Sequence, residues 1–252
     1  MENPKAITQQ QTSVENIAEK KEAAENLFRV GRKAIRLLSI PNSESFVSFE
    51  DLHTGLGNIP SSKVGEAEKL ASKELIIFLK CYRREIKTIF DLAYGFRRST
   101  RISATEKPSW IAVDTKGKLL PLEMATAWKN LKSKYQKKYP EAPLTIASAY
   151  RSPAYQLYLL CYHGFEKQQS LAEIFRIIAP PYHSAHNENP PAIDIADFFS
   201  RDPTQAANMM QSEDWNHFVG LAADFRFHLN YPAGPNAING GLGEPWEFCF
   251  RP

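Results

Sequence analysis

The chain has 252 residues, of which 43% are hydrophobic and 12% aromatic. A chain of this size and composition can bury a core, and its length fits one large domain or two small ones. The 31 basic and 28 acidic residues give a net charge of +3, which is too balanced to indicate nucleic-acid binding. The cysteines are far apart and form no CxxC pair, so neither a disulfide framework nor a cysteine zinc site is predicted.

The N-terminal segment is polar. Residues 1–5 and the glutamine-rich stretch after them lack the basic patch and apolar run of a secretory signal. No run in the chain approaches the roughly 18 apolar residues that a membrane span needs. We therefore expect a soluble chain that is made in the cytoplasm without a transmembrane segment.

The first part of the chain is predicted to be helical. Residues 1–12 are expected to form a disordered tail. A helix is predicted after the tail, because apolar residues recur at helical spacing on one face as far as Leu38. The next segment contains Gly55, Gly57 and Pro60 and is predicted to be a loop.

A second, longer amphipathic helix follows that loop. Its N-terminus is predicted at Ser61 or Ser62, and Gly95 is a natural terminator. Both helices need a partner to cover their apolar faces. We assign residues 13–105 to a helical N-terminal region of unknown role.

The remaining segment, residues 106–252, mixes helices with short strands. Strands are predicted at residues 110–113, 144–147, 192–195, 225–231 and 246–250. Helices are predicted at residues 122–139, 153–162, 171–178 and 214–224. This mixture indicates the α+β class.

Three blocks in this segment contain side chains suited to metal-dependent hydrolysis. They are residues 148–152 (SAYRS) with Gln156 after them, residues 184–186 (SAH) followed by residues 192–195 (AIDI), and residues 243–248 (GEPWEF). A zinc hydrolase needs about three His, Asp, Glu or Cys ligands and an open position for water. The metal lowers the pKa of that water and polarises the scissile carbonyl.

A further carboxylate must accept the proton of the water and pass it to the leaving amine. His186, Asp194, Glu244 and Glu247 supply these groups, and the planar guanidinium of Arg151 suits the carboxylate of a ligand. Each residue alone is more often structural. The order and local context of the whole set therefore carry the prediction.

These blocks resemble the motifs of the D-alanyl-D-alanine carboxypeptidase family of zinc metallopeptidases, which includes the vancomycin-resistance type D,D-carboxypeptidases. The family motifs are Ser-Gly-Tyr-Arg-Ser with a nearby Gln, Ser-x-His-x-x-Gly-x-Ala-x-Asp, and Glu-Pro-Trp-His-Trp. The resemblance covers roughly residues 120–252. It implies a small antiparallel-sheet metallopeptidase domain flanked by helices, which we assign to residues 106–252.

The resemblance also assigns roles to individual residues. The metal ligands would be His186, Asp194 and Glu247, and the general base would be Glu244. A substrate-anchoring set would bind the terminal carboxylate or nearby amides of the substrate: Ser148, Arg151, Gln156 and Ser184.

The chain departs from the family motifs at two places. The segment between His186 and Asp194 is one residue longer than in the family, lacks its Gly and contains Pro190 and Pro191. This stiff segment is either a tolerated insertion or a change that misplaces His186. In addition, Glu247 stands where the family has its third ligand, a His.

Glutamate is an acceptable zinc ligand, but two carboxylates would neutralise the charge of the metal and lower the pKa of the water less. Oxygen-rich ligation also makes Mn²⁺ an alternative to Zn²⁺. His183, three residues before His186, is an alternative third ligand.

The leading prediction is a zinc-dependent D,D-carboxypeptidase or endopeptidase that hydrolyses peptidoglycan stem peptides. One alternative is a catalytically degenerate relative that binds cell-wall peptide without cleaving it. Another is an interaction protein whose N-terminal helices carry the function. The chain would reach the wall only if exported, injected or released by lysis.

Overall fold

The computed structural model describes residues 4–35, 38, 47–59, 65–82, 90, 110–113, 118–188, 190–200, 202–231 and 243–251. Its helices are α1 (Pro4–Ala34), α2 (Phe49–Gly57), α3 (Glu66–Tyr82), α4 (Leu122–Gln136), α5 (Pro153–Lys167), α6 (Leu171–Ile174), α7 (Pro203–Met210) and α8 (Glu213–Asp224). Its strands are β1 (Trp110–Ala112), β2 (Leu119–Pro121), β3 (Ile146–Ser148), β4 (Ile193–Ile195), β5 (Phe227–Tyr231) and β6 (Glu244–Phe250). Helices combined with antiparallel sheets confirm the predicted α+β class.

The chain divides into two compact units, and both are discontinuous in sequence. The first unit consists of Met1–Ile40, Val47–Arg98 and Pro153–His183. The second consists of Pro41–Phe46, Ser99–Ser152 and Ser184–Pro252. The predicted division, with a boundary near residue 105, places Pro153–His183 with the C-terminal segment instead. That division into functional domains stays a prediction.

Helix α5 packs against α1 within the first unit, and two glycines allow the two helices to approach closely. A Cβ atom added to Gly31 of α1 would overlap the Cys161 Sγ atom of α5. A Cβ atom added to Gly164 of α5 would overlap the ring of Phe28 on α1. Each helix therefore places a buried side chain where any residue other than glycine would clash.

Two helices of the first unit differ from the prediction: α1 begins earlier in the chain than predicted, and α2 was not predicted. Helix α1 begins at Pro4 and not after residue 12, because Lys, Ala and Gln form helices well even without an apolar pattern. Helix α2 lies in the predicted glycine loop. It is started by a capping box in which Ser48 Oγ accepts from Asp51 N and Asp51 Oδ2 accepts from Ser48 N.

The second long helix, α3, begins at Glu66. The residues predicted to start and end it, Ser61 or Ser62 and Gly95, lie outside the described residues. None of the helices in the described part of the chain combines the length and the apolar character needed to span a bilayer.

The second unit contains two antiparallel sheets. Strands β1 and β2 form a two-stranded sheet, and the other four strands form a sheet in the order β3-β4-β6-β5. Helix α8 packs on β5, and α4 packs on α8. Strand β2 and helix α7 were not predicted from the sequence. Helix α7 is marked only by the Asp202-Pro203 pair, in which the Asp202 side chain accepts from Thr204 N and Gln205 N.

The four-stranded sheet has one strongly apolar face. Side chains alternate between the faces of a strand, so residues on either side of Asp194 and Glu247 point away from them. These neighbours are buried in one core with the facing side chains of α4 and α8: Ile193, Ile195, Trp246, Phe248, Trp128 and Phe218. This core fixes the strand register, and the register places the polar residues of the other face.

Candidate active site

A row of polar residues crosses the four-stranded sheet. Ser148 of β3 pairs with Asp194 of β4, and Asp194 pairs with Glu247 of β6. On the far side, β5 pairs with β6 at Leu229 and Phe248. The register of β5 against β6 shifts between Leu229 and Tyr231, and in this irregular part Asn230 Nδ2 donates to Glu247 Oε1. Directly opposed residues project from the same face, so the sheet brings Ser148, Asp194 and Glu247 together, and the hydrogen bond adds Asn230 to them.

His186 approaches this row from a 3-10 turn, Ala185–Asn187. Ser184 caps the turn, because its Oγ accepts from His186 N at 3.3 Å. The backbone N–H of Arg151 donates to His186 O at 2.9 Å, and Asn187 Nδ2 donates to Arg151 O at 2.6 Å. These hydrogen bonds fix the turn against the segment that follows β3.

The stiff segment between His186 and Asp194 does not separate these two predicted ligands. The N–H of Ala192 donates to Ala185 O at 3.1 Å, which closes the loop that contains Pro190 and Pro191. His186 and Asp194 then lie together, with 3.4 Å between His186 Nε2 and Asp194 Oδ2. Of the two predicted outcomes, the structure supports a tolerated insertion.

Two carbonyl oxygens fix the tautomer of neutral His186. The Nδ1 atom lies 2.9 Å from Ala149 O and 3.0 Å from Ala192 O. Carbonyl oxygens only accept hydrogen bonds, so Nδ1 carries the proton. The Nε2 atom then faces the two carboxylates, and a metal ion held there would replace its proton. A histidine that donates its other N–H to a carbonyl is the usual arrangement of a metal ligand.

The three predicted ligands form the site that could hold a metal ion. One ligand atom from each of His186, Asp194 and Glu247 lies within 4.8 Å of the others, and all three residues are buried. His186 Nε2 is 3.4 Å from Asp194 Oδ2 and 3.2 Å from Glu247 Oε2. Tetrahedral ligands at about 2.0–2.2 Å from zinc are roughly 3.3–3.6 Å apart. The donor types and the two distances from His186 Nε2 therefore fit a zinc ion.

Burial and charge shift the pKa values of two groups here. Burial and the positive charge of Arg151 lower the pKa of His186, but Asp194 and Glu247 outweigh them and raise it to about 9. Burial raises the pKa of Glu244 to about 8, and the charges of Glu247 and Asp194 add to this effect. The metal-free site therefore retains protons at neutral pH.

Arg151, which was predicted to anchor the substrate, lies beside the predicted metal ligand Asp194. Arg151 Nε donates to Ser148 Oγ at 2.8 Å, and Arg151 Nη2 donates to Asp194 Oδ2 at 3.2 Å. Ser148 thus orients the guanidinium, and Ser184 caps the turn of His186. Contact of these residues with a substrate stays a prediction.

Two predicted residues belong to the first unit. Gln156 is buried, and its Nε2 donates to Ala179 O at 2.7 Å. His183 is also buried, and its Nδ1 lies 2.7 Å from Pro181 O. Among the described residues, the group that could hold a metal does not include His183.

Asn230 is a residue of the site that the sequence did not indicate. Its Nδ2 donates to Glu247 Oε1 at 2.5 Å. Nothing in the local sequence marks it, since it lies fourteen residues before Glu244 in a predicted strand without a motif of its own. Only its hydrogen bond to Glu247, in the irregular part of the β5–β6 pairing, shows its position.

A buried His, Asp and Glu group beside a further carboxylate is typical of a metallohydrolase site. The family model for D-alanyl-D-alanine carboxypeptidases matches residues 117–252, just over half of the chain. The chain therefore belongs to the D-alanyl-D-alanine carboxypeptidase family. No curated protein matches it.

Several solved structures are similar to the chain, each with a TM-score of 0.42. One is the LdcB LD-carboxypeptidase, from a study of peptidoglycan recognition, at 20% identity over 61% of this chain and 65% of that one. The chain thus spans less than two thirds of the length of LdcB. The others are a vancomycin-resistance D,D-pentapeptidase VanY mutant with Zn(II), at 18% identity over 62% and 85%, and VanYB with D-alanine-D-alanine, at 19% identity over 62% and 83%.

Proposed function

We propose that the chain is a zinc-dependent peptidase that hydrolyses peptidoglycan stem peptides, as a D-Ala-D-Ala carboxypeptidase or a related endopeptidase. Membership of the D-alanyl-D-alanine carboxypeptidase family supports a peptidase. The observation that carries the metal dependence is the group of His186, Asp194 and Glu247, with its ligand atoms within 4.8 Å and the tautomer of His186 fixed.

Zinc held by His186, Asp194 and Glu247 would supply a Lewis-acidic centre. Glu244 acts as the general base: it accepts a proton from water at its carboxylate and returns this proton to the leaving amine. The base must be ionised for the first transfer. Since burial raises the pKa of Glu244 to about 8 in the metal-free protein, a nearby cation is needed to keep it ionised at neutral pH.

Arg151 orients the substrate in this proposal. Two of its N–H groups are used by Ser148 and Asp194, and the planar guanidinium has others that suit a carboxylate. Its side chain is 23% exposed, so part of it can be reached by a ligand. Ser184 and Gln156 stay in the proposed substrate-anchoring set.

Neither a non-cleaving relative nor a manganese site gains support at the ligand group. The degenerate, non-cleaving relative is not favoured, because Glu247 still lies where a third ligand is needed. The comparisons give no support to Mn²⁺ in place of Zn²⁺. Access to the wall by export, injection or lysis stays a prediction.

The test is zinc content and peptide cleavage in the full chain. The wild type should bind about one equivalent of zinc and release D-alanine from a stem peptide ending in D-Ala-D-Ala, or cleave a cross-linked peptide. His186→Ala should lose both properties. The matched control is His183→Ala, which removes a buried histidine outside the ligand group and should keep the zinc.

The possible results separate the alternatives. Zinc without cleavage in the wild type, with cleavage gained in Glu247→His, would establish the degenerate binder. Loss of zinc in both His183→Ala and His186→Ala would make His183 a ligand and contradict the proposed set. A wild type that binds no zinc would overturn the metal dependence.

A further inference from the structure

The two carboxylate oxygens of Glu247 have different partners. Glu247 Oε2 lies 3.2 Å from His186 Nε2, on the side of the ligand group. Glu247 Oε1 accepts a hydrogen bond from Asn230 Nδ2 at 2.5 Å. A carboxylate only accepts hydrogen bonds, so the nitrogen of the Asn230 amide must be the atom that faces it. Asn230 lies where the register of β5 against β6 shifts, between Leu229 and Tyr231.

We propose that Asn230 is a positioning residue that restricts Glu247 to ligation through one oxygen. A glutamate can bind a metal through one oxygen or through both. The amide of Asn230 holds Oε1, which leaves Oε2 alone to join His186 and Asp194. A catalytic zinc site needs three protein ligand atoms and an open position, and a second oxygen from Glu247 would fill that position. This inference rests on the proposed zinc peptidase.

The same hydrogen bond offsets the charge of the substituted ligand. Glutamate in place of histidine brings the negative charges at the site to two, which weakens the Lewis acidity of the metal. Each ligand carboxylate accepts from a donor outside the ligand group: Asp194 from Arg151 and Glu247 from Asn230. Such donors draw electron density from the ligand oxygens and tune the metal. Asn230 thus supplies the donor that a carboxylate ligand needs at this position.

The test uses Asn230→Asp in two backgrounds. In the wild type, the substitution replaces a donor with a second carboxylate against Glu247, and zinc binding should weaken by about 10–100-fold. In Glu247→His, the same carboxylate can accept from the ring N–H of the new ligand, which is a favourable arrangement for zinc. The effect of Asn230→Asp on zinc affinity should therefore reverse in sign between the two backgrounds.

Competition titration of the full chain against a chromophoric zinc chelator measures these affinities. The matched control is Asn216→Asp on α8, which introduces the same charge into the same unit at an amide that donates to Ser212 O. It should leave zinc affinity unchanged. Equal effects of Asn230→Asp in both backgrounds would overturn the inference while leaving the proposed function intact.

A second measurement does not depend on Glu247→His folding correctly. Asn230→Ala frees Glu247 Oε1, so Co²⁺ bound in place of zinc should gain a ligand, and its visible absorption should weaken as it leaves four-coordination. An unchanged cobalt spectrum would overturn the inference. A wild type without His186-dependent zinc would overturn the proposed function and this inference with it, before any Asn230 variant is made.

Discussion

At the scale of single residues, Glu244 lies in surroundings that disfavour its charged form. Burial is the main cause, and the carboxylates of Glu247 and Asp194 add to it, while His186 acts in the opposite direction. The result is a pKa of about 8 in the metal-free protein. Displaced pKa values of this kind are concentrated at functional sites, because catalytic acids and bases must change their protonation near neutral pH.

Glu244→Gln tests this environment in the metal-free protein. The unfolded carboxyl has a pKa near 4.5 and the folded one about 8, so between these values only the folded state keeps the proton. The stability from this group is present below pH 4.5 and is lost as pH rises through 8. Chemical unfolding with a chelator present should show a smaller loss of stability between pH 5 and 8 in Glu244→Gln.

The control is Glu213→Gln, because the pKa of Glu213 is shifted in the opposite direction to that of Glu244. The pKa of Glu213 is lowered because its carboxylate accepts from Lys138, so its contribution is present above pH 4.5 and lost as pH falls. Glu213→Gln should therefore leave the slope between pH 5 and 8 unchanged. Glu244→Gln should also keep zinc and lose roughly 10²–10⁴-fold in peptide cleavage. Equal slopes for the wild type and Glu244→Gln would contradict the buried, protonated Glu244.

The sequence predicted the ligand types but not their surroundings. His186, Asp194 and Glu247 are recognisable because metal-binding side chains are few and their order is informative. The tautomer of His186 depends on the carbonyl groups of Ala149 and Ala192, which any residue type would supply. Asn230 reaches Glu247 at an irregular point of the β5–β6 pairing, which simple alternation along a strand does not predict. Neither feature can be derived from residue identity.

At the scale of elements, the contact between α1 and α5 depends on glycine. Glycine in a helix interior is unfavourable by about 0.8–1 kcal/mol relative to alanine, so a helical glycine needs a packing reason. Gly164 has one, because a Cβ atom there would overlap the ring of Phe28. Phe28 is only 3% exposed, which leaves its ring little room to move.

Gly164→Ala should therefore destabilise the protein even though alanine favours helix. Overpacking of a buried contact costs typically about 1–3 kcal/mol, which outweighs the gain in helix propensity. The matched control is Gly220→Ala on α8, where a Cβ atom meets nothing within 4 Å. That variant should be more stable by up to about 1 kcal/mol. Thermal unfolding of both variants measures the difference, and a stabilised Gly164→Ala would contradict the close approach of α1 and α5.

Predicted elements were reliable where periodicity was long or motifs were specific. Helices α4 and α8 and strands β5 and β6 lie where the sequence placed them, because each combines a clear apolar pattern with a polar boundary. Helices α2 and α7 were missed because they are short. Their only signals are the caps at Ser48 and Asp202, which also occur in turns.

At the scale of the whole molecule, the second unit is interrupted by a segment of the first. The chain leaves the second unit after Ser152 and returns at Ser184. Two hydrogen bonds near these points, from Arg151 N to His186 O and from Asn187 Nδ2 to Arg151 O, hold the ends of the interruption together. Insertions between neighbouring chain ends are tolerated because closing such a loop costs little extra entropy. The sequence carried no signal for this arrangement, since contacts between distant segments define it.

These hydrogen bonds also fix the turn of His186, so the ligand group is assembled only in the folded chain. A metal ion bound there should therefore stabilise the fold. A ligand that binds only the folded state adds about 2.7 kcal/mol at 100 times its Kd. Zinc should therefore raise the melting temperature of the wild type and leave that of His186→Ala unchanged. Thermal melts with zinc and with a chelator measure this effect.

The size of that stabilisation should depend on pH. Zinc must displace the proton from His186 Nε2, and the pKa of this group is about 9 in the metal-free protein. Below pH 9, each unit of rising pH removes part of this competition, so zinc binds more tightly. The metal-free protein changes in the opposite direction: a histidine pKa raised from 6.5 to about 9 stabilises the fold below pH 6.5, and this contribution is lost as pH rises through 9. The difference in melting temperature between the zinc-bound and metal-free protein should therefore increase from pH 6 to pH 9. A difference that stays constant or decreases over this range would show that His186 does not release a proton when zinc binds.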